Sequence, residues 1–108
     1  SAKITGIVQA SDNRLMLSSA SGWEIALLWY LKRVQLPDQP QRFIPEAMQK
    51  LSVIPLPIGF DTAISAATLP LVHRDPFDRI IIAEALKENV TVLTKDSTFA
   101  DYGTQILW

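Results

Sequence analysis

The chain has 108 residues, of which 48% are hydrophobic and 19% are charged, which suits one small domain with one core over residues 1–108. Its 10 basic and 11 acidic side chains nearly cancel, which excludes a protein that coats nucleic acid through net positive charge. With no cysteine and one histidine, the chain cannot form disulfides, and a bound metal would depend mainly on oxygen ligands. Magnesium or manganese is therefore favoured over zinc.

The sequence gives no sign of a membrane or secretory segment. No apolar run reaches the roughly 20 residues that span a bilayer, and no signal-peptide pattern opens the chain. We therefore expect a cytoplasmic protein with no membrane partner.

Helical and strand-like patterns alternate along the chain. Helices are expected at residues 1–11, 21–34, 42–51, 60–69 and 76–89, with a turn or short helix at 96–100. Strands are expected at residues 14–19, 52–58, 90–94 and 105–108. Two prolines place the second strand at a sheet edge or leave it only partly paired. This order predicts an α/β fold with a parallel sheet and helices on both faces.

The rest of the chain is organised around the beginning of the helix at 76–89. Asp75 is a good N-cap, Pro76 suits the first helical position, and Asp78 falls at the third, where a carboxylate can reach back. The spacing beyond predicts a buried face at Phe77, Ile80, Ile81 and Leu86 and an exposed face at Arg79, Glu84, Lys87 and Glu88.

Acidic residues follow two other predicted strands. Glu24 lies in the capping-box pattern Ser21-Gly-Trp-Glu24, and Asp96 follows the strand at 90–94. Because the carboxyl ends of parallel strands share one rim, Glu24, Asp78 and Asp96 are expected to converge there. Ordinary helix capping is the alternative for each. Trp23 and Trp29 are expected in the core.

Several segments together resemble the PIN-domain ribonucleases, specifically the VapC-type toxins of toxin–antitoxin pairs. They span almost the whole chain in family order: Ser18-Ser-Ala-Ser-Gly-Trp-Glu-Ile-Ala26, Leu36-Pro37, Leu56-Pro-Ile58, Leu69-Pro-Leu-Val-His-Arg-Asp-Pro-Phe-Asp-Arg-Ile-Ile-Ile-Ala-Glu-Ala85, Leu93-Thr-Lys-Asp-Ser-Thr-Phe99 and Tyr102 to Trp108. The resemblance implies a PIN-like three-layer sandwich. It also implies that Glu24, Asp78 and Asp96 are catalytic ligands of Mg²⁺ or Mn²⁺, with Asp75 substituting or assisting.

One part of the family pattern has no counterpart here. The first acid of the family lies on an N-terminal strand of the type Leu-Asp-Thr, whereas Ser1 aligns with a later helix. We therefore expect the N-terminal strand and helix to be missing. A truncated gene product, a cleaved fragment and upstream residues outside this numbering would each explain the difference.

Five polar residues flank these acids and have two interpretations each. Arg74 and Arg79 would bind RNA phosphates or pair with the neighbouring acids. Thr94 and Ser97 would orient a water or phosphate, or simply cap the next element. His73 would be a general base or substrate contact, or a local hydrogen-bonding residue in a loop.

The resemblance implies a metal-dependent endoribonuclease of the VapC type that hydrolyses RNA phosphodiesters. The expected partners are RNA, a cognate antitoxin and a second copy of the chain. The alternative is a truncated, non-catalytic PIN remnant that serves as a dimerisation or antitoxin-binding module. A third interpretation is a different carboxylate enzyme, such as a phosphatase.

Overall fold

The computed structural model describes residues 2–108, which form helices and short parallel strands. The helices are α1 (Ala2–Gln9), α2 (Ser19–Tyr30), α3 (Pro40–Lys50), α4 (Phe60–Ala67) and α5 (Pro76–Glu88), with a 3₁₀ helix at Ser97–Tyr102. The strands are β1 (Leu15–Ser18), β2 (Val53–Leu56), β3 (Val92–Leu93) and β4 (Ile106–Leu107). The predicted α/β class with parallel strands is confirmed. None of the helices in this part of the chain is long and apolar enough to cross a membrane.

The described residues divide into two compact units. One contains residues 2–8 and Ile58–Trp108, and the other contains Gln9–Pro57. Each unit has its own parallel pair of strands, so that over residues 2–108 the strands form two two-stranded sheets. The expectation of a single domain over 1–108 stays a prediction.

In the Gln9–Pro57 unit, β1 pairs in parallel with β2, and α2 follows β1 directly. The register sets Leu15 opposite Val53 and Ser18 opposite Leu56. The hydroxyl of Ser18 accepts a hydrogen bond from Ala20 N at 3.1 Å and caps α2. Since Ser18 already ends the strand and caps the helix, α2 begins at Ser19, and the predicted start at Ser21 was wrong.

The aromatic residues of α2 are more exposed than the sequence indicates. Trp23 and Trp29, predicted in the core, are exposed, as is Tyr30. Apolar residues lie all round this helix, so their spacing does not single out one buried face. Ala20 is the residue of α2 that is fully buried.

In the Ile58–Trp108 unit, α4 packs against α5, and β3 pairs in parallel with β4. Lys87 Nζ and Asp61 Oδ2 form an ion pair of 2.9 Å between the two helices. The buried apolar residues of this unit are Ala66, Ile82, Ala83, Ala85 and Phe99. The core therefore lies under α5, the helix that also carries Asp78.

The buried face of α5 differs from the predicted one. Arg79 and Glu84 are buried although both were expected in water, and Leu86 is exposed although it was expected inside. Arg79 can be buried because its guanidinium is hydrogen-bonded to backbone carbonyls. The prediction from helical spacing placed charged residues in solvent, whereas Arg79 and Glu84 are buried here.

Candidate metal centre

The beginning of α5 fixes the position of Asp78, one of the two acids of the site. Asp75 Oδ1 accepts hydrogen bonds from Phe77 N at 2.9 Å and from Asp78 N at 3.4 Å, and Pro76 occupies the first helical position. The predicted N-cap at Asp75 is confirmed. This cap places Asp78 in the first helical turn, where the helix dipole favours negative charge.

The second acid, Asp96, caps the 3₁₀ helix that follows β3. Its Oδ1 accepts hydrogen bonds from Thr98 N at 3.0 Å and from Thr98 Oγ1 at 2.6 Å. Its backbone N donates to Thr94 Oγ1 at 3.0 Å. With Oδ1 engaged in the cap, Oδ2 is the oxygen that faces His73.

His73 lies between the two acids. Its Nε2 is 3.1 Å from Asp78 Oδ2 and 3.0 Å from Asp96 Oδ2, and its Nδ1 accepts a hydrogen bond from Asp75 N at 3.3 Å. The ring packs edge-on against Phe99 with centroids 5.8 Å apart. The three side chains are 16%, 28% and 40% exposed for His73, Asp78 and Asp96 respectively, so the cluster is reachable from solvent.

The hydrogen bonds of Asp96 favour the ionised form of its carboxyl. The pKa of Asp96 is lowered from its ordinary value of 3.8, chiefly by the Thr98 hydroxyl, then by the Thr98 backbone N–H, and then by His73. An ionised carboxylate is the form that binds a cation. Asp96 is therefore ready to act as a ligand at neutral pH.

Replacing Thr98 with valine is expected to raise the pKa of Asp96 toward 3.8, because the 2.6 Å hydroxyl bond is lost. A carboxyl whose pKa is lower in the folded than in the unfolded chain stabilises the fold above the unfolded pKa. Wild type should therefore exceed Thr98→Val in free energy of unfolding at neutral pH. That difference should vanish as the pH falls through the lowered pKa of Asp96. Carboxyl ¹³C titration and urea unfolding at several pH values measure both effects.

The matched control is Thr91→Val. It removes a threonine hydroxyl that contacts Gln105 Oε1 at 3.3 Å, in the same unit, and should leave the pKa of Asp96 unchanged. An Asp96 pKa that Thr98→Val does not move would contradict this account of the cap.

The structure brings together two of the acids that the sequence predicts. Over residues 2–108, the group whose ligand atoms all lie within 4.8 Å of one another is His73, Asp78 and Asp96. Asp75, proposed as an assisting ligand, uses Oδ1 to cap α5 and does not belong to that group. Glu24 lies exposed on α2, in the Gln9–Pro57 unit.

The predicted substrate-contacting residues have different surroundings. Arg74 is exposed and lines an open, largely apolar cleft of ≈ 370 Å³ beside α4 and α5. Arg79 is buried and bonded to carbonyls. Thr94 accepts the backbone bond from Asp96, which is the capping role that the sequence also allowed. Ser97 is exposed at the start of the 3₁₀ helix.

The sequence analysis did not identify Thr98 or Tyr102 as residues of the site, and it gave His73 a catalytic role only as one of two interpretations. Thr98 follows Asp96 at the spacing of an Asx cap, so that signal was present. His73 was weighed as a catalytic group beside a local role. Tyr102 lies 29 residues from the His73 N–H that it contacts, and no local pattern reveals such a pair.

Two carboxylates and an imidazole suit a small divalent cation. Carboxylate oxygens are the preferred ligands of Mg²⁺ and Mn²⁺, and imidazole is a common additional ligand for transition metals. Mg²⁺ usually keeps several waters and takes only one or two carboxylates from the protein. The convergence of Asp78, Asp96 and His73 fits such an ion.

Asp78, in the first turn of α5, and Asp96, between β3 and the 3₁₀ helix, converge at His73. This arrangement is of the kind found in proteins that bind a metal through carboxylates. The family model of the PIN domain matches residues 2–105. The chain therefore belongs to the PIN domain family.

The chain is also similar to a curated protein, Ribonuclease VapC16 of Mycobacterium tuberculosis (strain ATCC 25618 / H37Rv). The two are 35% identical over 52 residues, which cover 48% of this chain and 37% of the relative. The match thus spans a little over a third of the length of that relative. No solved structure matches the chain.

Proposed function

We propose that the chain acts as a metal-dependent endoribonuclease of the VapC type. The observation that carries the proposal is the cluster of His73, Asp78 and Asp96 in a chain of the PIN family. Similarity to a protein named as a ribonuclease supports the choice of RNA as substrate. An RNA substrate also favours a cytoplasmic location.

The proposed ligands of Mg²⁺ or Mn²⁺ are Asp78 and Asp96. His73 Nε2 is proposed as a third donor, which requires its proton to move to Nδ1 and the 3.3 Å hydrogen bond from Asp75 N to be given up. Glu24 is proposed as a further acidic ligand from its match to the family pattern. When bound, the cation would neutralise charge on the phosphate and activate a water for hydrolysis. Asp96 contributes an ionised carboxylate, and the Thr98 hydroxyl lowers the pKa of that group further.

Arg74 is the proposed phosphate contact of the flanking residues. It is exposed and follows His73 directly, so its guanidinium is free to meet a strand that approaches the acids. A chain with a net charge of −1 has little general attraction for duplex RNA. Single-stranded RNA, whose phosphates can reach individual residues, is therefore the proposed substrate.

The proposed protein partners are an antitoxin and a second copy of the chain. The exposed tryptophans of α2, Trp23 and Trp29, support a protein contact in the Gln9–Pro57 unit. Exposed aromatic residues are enriched at protein interfaces.

The test of the proposed function is cleavage of a fluorescently labelled single-stranded RNA by the purified chain. We expect cleavage with Mn²⁺ or Mg²⁺, loss of cleavage in EDTA, and recovery when the metal is restored. A matched duplex RNA should be cut more slowly. No cleavage with either metal would overturn the proposal in favour of a non-catalytic PIN module. Hydrolysis of a small phosphoester, but not of RNA, would indicate a phosphatase.

A further inference from the structure

The guanidinium of Arg79 is buried and fully engaged by one short stretch of backbone. The residue is 6% exposed. Its Nη1 donates to the carbonyl oxygens of Pro70 and His73, both at 3.0 Å. Its Nη2 donates to those of Ala67 at 3.2 Å and Leu69 at 2.6 Å. The four terminal N–H groups of this arginine are thus matched by four carbonyls.

Those carbonyls belong to the end of α4 and to residues 69–73, which we name the bridging segment. The last carbonyls of a helix have no partner within it, and here Arg79 supplies one at Ala67. Burial holds the middle of the bridging segment poorly, because Leu71 is 77% exposed and Val72 is exposed as well. Leu69 and His73, at its two ends, are half-buried. Hydrogen bonds must therefore define its path.

Tyr102 holds the same segment from the 3₁₀ helix. Its hydroxyl donates to Pro70 O at 2.6 Å and accepts from His73 N at 2.6 Å. Pro70 O thus accepts hydrogen bonds from both Arg79 and Tyr102. The backbone of His73 is held on both sides, by Tyr102 at its N–H and by Arg79 at its carbonyl.

We propose that Arg79 and Tyr102 are positioning residues that fix the bridging segment and thereby set the His73 imidazole at the Asp78–Asp96 pair. This assignment replaces the phosphate-contact role that the sequence allowed for Arg79. Its effect on turnover rests on the proposed nuclease function, whereas its effect on the position of His73 does not. A catalytic group displaced by about 1 Å can cost roughly 100-fold in rate, so a rigid support for His73 has a direct consequence for activity.

The test uses Tyr102→Phe and Arg79→Lys in the full chain, with Tyr30→Phe as the matched control. His73 is the single histidine, so its ring nitrogens give unambiguous ¹⁵N signals. In metal-free wild type at a fixed neutral pH, we expect one tautomer with the proton on Nε2, because Nδ1 accepts from Asp75 N. Both variants should shift these signals toward an average of tautomers. Tyr30, which is exposed on α2, should leave them unchanged when replaced.

Kinetics supply the second readout. Tyr102→Phe and Arg79→Lys should each lower kcat for RNA by about 10-fold to 100-fold, the usual cost of losing an outer support of a metal site. KM should change little, because no substrate contact is removed. In the double variant, the fold-decrease in kcat should be smaller than the product of the two single fold-decreases, since both residues act on one segment.

Three results would overturn the proposal. The first is unchanged His73 signals in Tyr102→Phe. The second is a raised KM for Arg79→Lys with unchanged kcat, which would make Arg79 a phosphate contact. The third is equal effects from Tyr30→Phe. If Arg79→Lys does not fold, Tyr102→Phe decides the question alone, because it removes one hydroxyl with almost no change in volume. If the chain cleaves no RNA, the proposed function fails and the His73 signals still decide this inference.

Discussion

Replacing Asp78 with asparagine is expected to abolish Mn²⁺ binding and to lower RNA cleavage by at least about 100-fold, since even outer supports of metal sites are worth 10-fold to 100-fold. Asparagine keeps the size of the side chain but removes the negative charge that a hard cation requires. Because Asp75 rather than Asp78 provides the observed cap of α5, the free energy of unfolding should change only slightly. Calorimetric titration with Mn²⁺, a cleavage assay and urea unfolding measure the three quantities.

Asp61→Asn is the matched control for Asp78→Asn. Asp61 also lies in the first turn of a helix of the same unit, and its carboxylate pairs with Lys87 on the protein surface. Losing that exposed pair should leave Mn²⁺ binding unaltered. If Asp78→Asn instead retained full Mn²⁺ affinity and lost only a little stability, Asp78 would be an ordinary first-turn acid of α5.

Replacing Ile82 with alanine is expected to lower the free energy of unfolding by about 2–5 kcal/mol. Ile82 is fully buried, so the change removes apolar contacts and leaves a cavity under α5. Small domains are stable by only about 5–15 kcal/mol, and so a large share of the folded population should be lost on mild heating. Urea unfolding followed by circular dichroism gives the difference.

Ile64→Ala is the corresponding control on the neighbouring helix α4. It deletes the same atoms from a side chain that is exposed, and a change within about 0.5 kcal/mol is expected. Equal losses for Ile82→Ala and Ile64→Ala would contradict the core as described.

The elements that the sequence predicts well are those with strong local signals. Asp75 and Pro76 mark the beginning of α5 because an N-cap and a first-position proline act within one helical turn, and the structure begins the helix at Pro76. Asp96 likewise follows a strand and caps the next turn. The parallel pairing of β1 with β2 follows from the alternating order of strands and helices.

The features that local pattern could not supply depend on contacts between distant residues. Arg79 was assigned to the surface because charged residues are rarely buried without partners, and its four partners lie 6 to 12 positions earlier in the chain. The exposure of Trp23 is a second case, since burial of a helix that is apolar all round depends on its neighbours. Tyr102 contributes to the site through a backbone contact 29 residues away.

The measurement that tests the central claim most directly is a titration of the wild-type chain with Mn²⁺, followed through the side-chain NMR signals of His73. The unpaired electrons of Mn²⁺ broaden the signals of nearby nuclei, and His73 Nε2 contacts both Asp78 and Asp96. We predict that the His73 signals broaden at substoichiometric Mn²⁺ and that EDTA restores them. His73 signals that stay sharp at stoichiometric Mn²⁺ would contradict a metal centre at His73, Asp78 and Asp96.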